Sequence, residues 1–255
     1  MSWRRWVGTA AGGSLGNSWV WVAALLCSAV LTSTAVWAVQ GRAPGGIDRS
    51  AGEIEVIADA SGFQYPGALV PGGRFYVEDL SVQCSMGWPA VDDRGQSGFF
   101  TAAHCFPERG PVRLIIPVRD GPQIQVVATP VRPDDDVDLA FVPVPSLGLS
   151  SGGQSSLFGK PLSSEPVSLE WLSRHRPKIC WKGQRTGFAC GQTRAVSNGF
   201  LVFTSNVRSG DSGGPVFAVT DEAVYPVGVT HAVDGPLASA TPLLPLIHDW
   251  RIHLS

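Results

Sequence analysis

From about residue 69 onward the chain alternates apolar and polar positions over short runs, and helical periodicity is scarce. Arg74-Phe75-Tyr76-Val77 and Ser97-Gly98-Phe99-Phe100-Thr101 read as strands, as do residues 112–118 and 123–128. The last two are separated by Arg119-Asp120-Gly121-Pro122, a run of turn-forming residues. A further strand is predicted over 138–144, headed by Asp138. A Gly- and Ser-rich interval at 146–160 then breaks the pattern and reads as a linker. Strands resume at 166–171, 187–190, 200–204, 215–220 and 224–230. Short strands at regular spacing predict barrels or sandwiches. Only the end differs: Leu243, Leu244, Leu246, Ile247 and Trp250 predict a helix over 241–251, despite Pro242 and Pro245.

Ahead of this region the pattern is of another kind. Residues 19–39 carry no charge and follow Arg4 and Arg5. As a helix that stretch is long enough to cross a bilayer, which takes about 20 residues. Two readings stay open for 1–40: a signal peptide cut after Ala38, or a retained anchor with the arginines inside. Arg4-Arg5-Trp6 also fits a twin-arginine signal loosely. Residues 41–68 show little periodicity and read as a stalk or short propeptide. The body is expected to be exported, either secreted or held at the outer face of the membrane through its N-terminal segment.

Composition supports an all-β body. Gly (30) and Pro (20) are abundant among the 255 residues, which favours many turns over long helices. A formal charge of −2 gives no basic surface, so nucleic acid is not an expected partner. Of the five cysteines, Cys27 lies in the apolar segment, and Cys84, Cys105, Cys180 and Cys190 lie in the body. Four cysteines after an export segment point to two disulfides and an oxidising compartment. Three pairings are open, and nearest-neighbour pairing is the simplest. Each loop closed that way would contribute roughly 3 kcal/mol in the chain-entropy picture. No Cys-x-x-Cys spacing argues for zinc.

The chemistry concentrates in Gly210-Asp211-Ser212-Gly213-Gly214. A serine flanked by glycines can sit on a tight turn with its hydroxyl exposed. The same turn can aim the N–H groups of Gly210 and Ser212 at one point, as a developing oxyanion requires. About a hundred residues earlier stands Thr101-Ala102-Ala103-His104-Cys105. Between the two, four acids stand close together: Asp134, Asp135, Asp136 and Asp138. The first three fit a solvated loop. Asp138 directly precedes Leu139-Ala140-Phe141-Val142, where a strand can bury and orient it. Nucleophile Ser212, base His104 and orienter Asp138 make a complete triad in the chain order His, Asp, Ser.

These three stretches resemble the chymotrypsin-like serine proteases. Cys84-Ser85-Met86-Gly87-Trp88, running on to His104-Cys105, resembles the bacterial streptogrisin and α-lytic protease branch. So does the loop from Cys180 to Cys190, and Leu69-Val70-Pro71-Gly72-Gly73 looks like that branch's mature start. The resemblance covers 69–255. It implies two antiparallel β-barrels, about 69–155 and 156–255, with the active site in the cleft and a helix at the C-terminus. It also implies a monomeric serine endopeptidase acting on peptides or proteins through an acyl-enzyme on Ser212, with no cofactor and no metal. Asn206, Ser209, Thr230, His231 and Ala232 would line the substrate site. Asn206 stands where trypsin-like enzymes carry an acid, so cleavage after Lys or Arg is not expected. His231 stands where the family usually has a serine, and would either favour an acidic substrate residue or pack beside the triad.

The chain also departs from that branch. A further cysteine pair is missing, and the large folding propeptide has no counterpart in 41–68. The arginine that would pair with Asp211 is Trp181 here, leaving Lys182 as a candidate partner. Two rivals follow. The stretch 210–214 also satisfies the nucleophile elbow of α/β-hydrolases, but that class orders its triad Ser, Asp, His and alternates strands with helices. A catalytically silent pseudoprotease serving as a surface binding module is the other, favoured by the altered partner of Asp211 and by His231.

Overall fold

The structure, a computed structural model, describes residues 52–57, 70–117, 122–131, 137–144 and 156–255. The segment expected as an N-terminal apolar helix, residues 119–121 of the expected turn, Asp134 to Asp136 and most of the linker lie outside those residues. No helix among the described residues is long and apolar enough to cross a membrane.

All but one of the predicted strands form, and those begun at Gly187 and Val224 run on to Ser197 and Asp234. In the first half the strands are β2 (Arg74–Val77), β3 (Val82–Ser85), β4 (Pro89–Val91), β5 (Ser97–Thr101), β6 (Val112–Ile116), β7 (Ile124–Ala128) and β8 (Ala140–Pro143), preceded by β1 (Glu55–Val56). The second half holds β9 (Ser156–Leu157), β10 (Lys160–Pro161), α1 (Leu169–His175), β11 (Lys178–Gly183), β12 (Gly187–Ser197) and β13 (Phe200–Thr204). It continues through β14 (Pro215–Val219), β15 (Val224–Asp234), β16 (Leu237–Pro242), α2 (Leu244–Trp250) and β17 (His253–Leu254).

β3, β4, β9, β10, β11, β16 and β17 fall where no strand is predicted, and three further elements differ from expectation. Residues 166–171, read as a strand, lead into α1, because Ser168 accepts the Trp171 N–H at 3.1 Å and caps a helical turn. The C-terminal helix begins later than predicted. Pro242 ends β16, and Pro245 falls in the first turn of α2, where its missing N–H costs nothing. Within the stretch expected as stalk or propeptide, β1 pairs antiparallel with β12, Glu55 facing Cys190 and Val56 facing Ala189.

The second half is a closed six-stranded barrel in the order β12-β11-β14-β15-β16-β13, sealed by β12–β13 pairing, with β1 added outside β12. Its interior is apolar, with Trp181 tilted against Phe203 at 5.4 Å and Val216, Val227 and Leu201 around them. The first half is built of two four-stranded sheets, β3-β2-β6-β7 and β17-β4-β5-β8, so the last strand of the chain completes a sheet of the first half. Phe75, Phe99, Phe106, Leu114 and Ile116 fill its core. A third cluster joins the halves: Trp88, Phe100 and Phe141 meet Phe217, Val229, Leu243 and Ile247. Both disulfides follow nearest-neighbour pairing, Cys84–Cys105 and Cys180–Cys190.

Candidate active site

β5 carries the chain to Thr101, and a short 3-10 turn, Ala103–Cys105, follows. Ala103 and Cys105 point inward and are buried, which turns His104 outward. The disulfide from Cys105 to Cys84 fastens this turn to β3. Asp138 lies just before β8 and meets His104 twice. Its Oδ1 accepts the His104 main-chain N–H at 2.7 Å, and its Oδ2 lies 2.8 Å from His104 Nδ1. Burial pushes the Asp138 carboxyl up. The hydrogen bonds from His104 and His231, with the charge and amide of His104, outweigh it and hold the group well below the ordinary carboxylate range.

The turn around Ser212 depends on two glycines in the left-handed region, Gly210 at φ 99° and Gly213 at φ 83°. A Cβ on Gly213 would stand 1.9 Å from Thr101 Oγ1, so the turn lies directly against the end of β5, just before the His104 turn. Gly213 donates to the Thr230 carbonyl, and Thr230 donates back to Gly214, each at 2.8 Å. Ser85 binds the assembly together. Its N–H donates to the Ser212 carbonyl at 2.8 Å, and its hydroxyl donates to the Gly210 carbonyl at 2.9 Å. That hydroxyl also accepts from the Gln184 amide at 3.0 Å, while Thr101 Oγ1 donates to the Ser85 carbonyl at 3.0 Å. Sequence reasoning gave Ser85 no role; its one signal there is that it follows Cys84.

Asp211 is fully buried, and its described bonds come from neutral donors. The amides of Arg185 and Thr186 reach Oδ1 at 2.7 and 3.2 Å; the Thr186 hydroxyl and the Arg208 amide reach Oδ2 at 2.8 and 2.9 Å. Gly183 makes room for this carboxylate, since a Cβ there would stand 2.2 Å from Oδ1. Trp181, in the place of the expected arginine, is buried in the barrel core instead.

His231 also reaches Asp138. β15 has a bulge between Thr230 and Ala232, which pair with the consecutive Ala240 and Ser239, so His231 is the inserted residue. Bulges redirect side chains. This one sends His231 Nδ1 to within 2.5 Å of Asp138 Oδ2, while the ring stacks on Phe200 with centroids 4.7 Å apart. Of the other substrate-site candidates, Ser209 and Ala232 are exposed. Asn206 Oδ1 and Thr230 Oγ1 are buried atoms without a hydrogen-bond partner among the described residues. His104, Asp138 and His231 bring three metal-competent atoms within 4.8 Å of one another. Cys84, His104 and Cys105 also cluster, but both thiols are consumed in a disulfide.

No protein-family model matches the sequence, and no curated protein matches it. Solved structures do match in fold. Nocardiopsis protease superposes with a TM-score of 0.53 at 22% identity, over 73% of this chain and 98% of its own. Cellulomonas bogoriensis chymotrypsin gives 0.52 at 20% identity, again over 73% and 98%. The closed six-stranded barrel, the sheets facing it and these superpositions give one conclusion: the chain has the chymotrypsin-like fold of bacterial serine proteases.

Proposed function

We propose that the protein is a serine endopeptidase whose nucleophile is Ser212. The observation that carries this reading is the double engagement of His104 by Asp138, through the ring Nδ1 and through the residue's own amide. An imidazole held with its proton on Nδ1 turns a free Nε2 lone pair outward, the tautomer a general base needs. Nε2 would take the Ser212 proton as Oγ attacks a substrate carbonyl, and would return it to the leaving amine. The amides of Gly210 and Ser212 would stabilise the oxyanion, and water would then release the acyl group by the same route. The left-handed Gly210 and the Ser85 clamp on its carbonyl favour such a preset turn.

Substrate would lie along β15 beyond the bulge, where Ala232, Val233 and Asp234 are exposed. His231 would serve the triad rather than recognise an acidic substrate, because its Nδ1 is committed to Asp138. Peptides and proteins are the substrate class, by likeness to neighbours named protease and chymotrypsin. The two disulfides agree with an exported body, with 1–40 as signal or anchor and 69–255 as the catalytic unit.

The test is labelling of the full chain with a fluorophosphonate probe beside Ser212→Ala. Labelling of the parent and none of the variant is the expected result. A folded, disulfide-bonded parent that never labels would overturn the proposal in favour of a silent binding module.

A further inference from the structure

We propose that His104, Asp138 and His231 form a three-ligand zinc site whose occupation switches the nucleophile off. Two imidazoles aim Nδ1 at one carboxylate oxygen, at 2.8 and 2.5 Å, and the three ligand atoms lie within 4.8 Å of one another. Zinc bonds to nitrogen and oxygen of about 2.0–2.2 Å in a tetrahedron set neighbouring donor atoms roughly 3.2–3.5 Å apart. The rings therefore need to draw back from Oδ2 by about 1 Å or less for an ion to take the place of the two bridging protons. Two imidazoles and one carboxylate favour zinc, cobalt or nickel over calcium or magnesium, which prefer oxygen.

The surroundings suit an ion. Asp138 Oδ1 is anchored by the His104 amide, and the His231 ring is steadied by Phe200; outer bonds of this kind orient metal ligands. The His104 side chain is 48% exposed, His231 29% and Asp138 13%, so water can supply a fourth ligand from one side. Neither β14 nor β16, the strands flanking β15, nor β13, which supplies Phe200, carries a charged side chain to compete for it. The site depends on the bulge residue, because the serine expected at 231 would leave only two ligands.

Occupation changes the chemistry without redox or leaving groups. Each neutral ring gives its Nδ1 lone pair to the metal and moves its proton to Nε2, so no proton is gained or lost. For His104 that places N–H where the Ser212 proton would have to go, and the base is blocked. This consequence rests on the proposed serine-nucleophile reading, whereas the metal binding itself does not.

Two measurements on the full chain test both parts. Calorimetric titration of Zn²⁺ into metal-free Ser212→Ala protein is expected to give one ion per chain. Adding His231→Ser or His231→Gln should weaken binding about tenfold or more, and Co²⁺ should give the visible absorption of a tetrahedral centre only with His231 present. In the parent, Zn²⁺ should suppress fluorophosphonate labelling and a chelator should restore it. Absence of uptake, uptake by the His231 variants as tight as with His231 present, or saturation with undiminished labelling would each overturn the proposal. The titration decides the site even in a chain that never labels, so failure of the hydrolase reading is not mistaken for failure of the metal site.

Discussion

At the scale of single residues, removing the Ser85 hydroxyl would strand two main-chain groups in one turn, the Gly210 carbonyl and the Gln184 amide. A buried polar group left unpaired costs about 1–3 kcal/mol, so Ser85→Ala should lower the urea stability by about that amount. The larger effect should fall on fluorophosphonate labelling, measured where the variant is still folded, because the freed carbonyl belongs to Gly210. Equal labelling of variant and parent would show that the turn holds without the clamp. Such a residue is hard to read from sequence, because serine is common and only pairing in space gives it work. The same reason hid the partners of Asp211. Three of its four donors are main-chain amides, which every residue but proline supplies, so no side chain announces them. Asp138 was legible because an acid before an apolar strand has few places to go. His231 was legible as a departure, but a bulge decides where its ring points, and bulges leave little trace in sequence.

Elements were legible where alternation ran long enough to outweigh local chemistry. β2, β5 and β13 coincide with predicted strands, each with buried positions filled by Phe, Leu or Val. At α1 the alternation of Val167, Leu169 and Trp171 points to a strand, while the Ser168 cap and an i,i+4 pair between Glu170 and Arg174 favour helix locally. β1 is too short to show any period, yet it covers the outer edge of the barrel. Just past it the Ile57 N–H donates to the Phe188 carbonyl, and the flanking Ile54 and Ile57 are partly buried against the barrel. The accompanying Glu55–Lys178 pair, at 2.7 Å, is exposed on both sides and contributes about 0–1 kcal/mol. A chain that begins at residue 58 should therefore be less stable by about 1–3 kcal/mol, mostly from lost isoleucine burial. It should also self-associate through the uncovered β12 edge. Urea midpoints and sedimentation check this, with Glu55→Ala as the near-neutral comparison. Unchanged values in the shortened chain would mean that β1 only rests on the barrel.

Across the whole molecule the two halves share one apolar cluster. Trp88 Nε1 donates to the Gly228 carbonyl at 2.9 Å in a buried position, and Phe100 stacks on Trp250 at 6.2 Å. The last residues then return to the first half: Ile252 is 4% exposed in the shared cluster, and β17 pairs with β4. The Asp138–His104 pair comes from the first half, and Ser212 with His231 from the second, so any loosening of this joint should disturb chemistry and fold together. Ile252→Ala removes buried methyl groups at that joint, a change that costs about 2–5 kcal/mol in packed cores. Tryptophan fluorescence and labelling rate, followed through the same urea series, should shift to lower midpoints by equal amounts and stay superimposed. A labelling midpoint that moved well ahead of the fluorescence would mean that the halves separate before either unfolds, with the clustered side chains too weak to couple them. Superimposed curves would make the chain's last residues as necessary to the candidate site as the turn that carries Ser212, though they lie far from it in sequence.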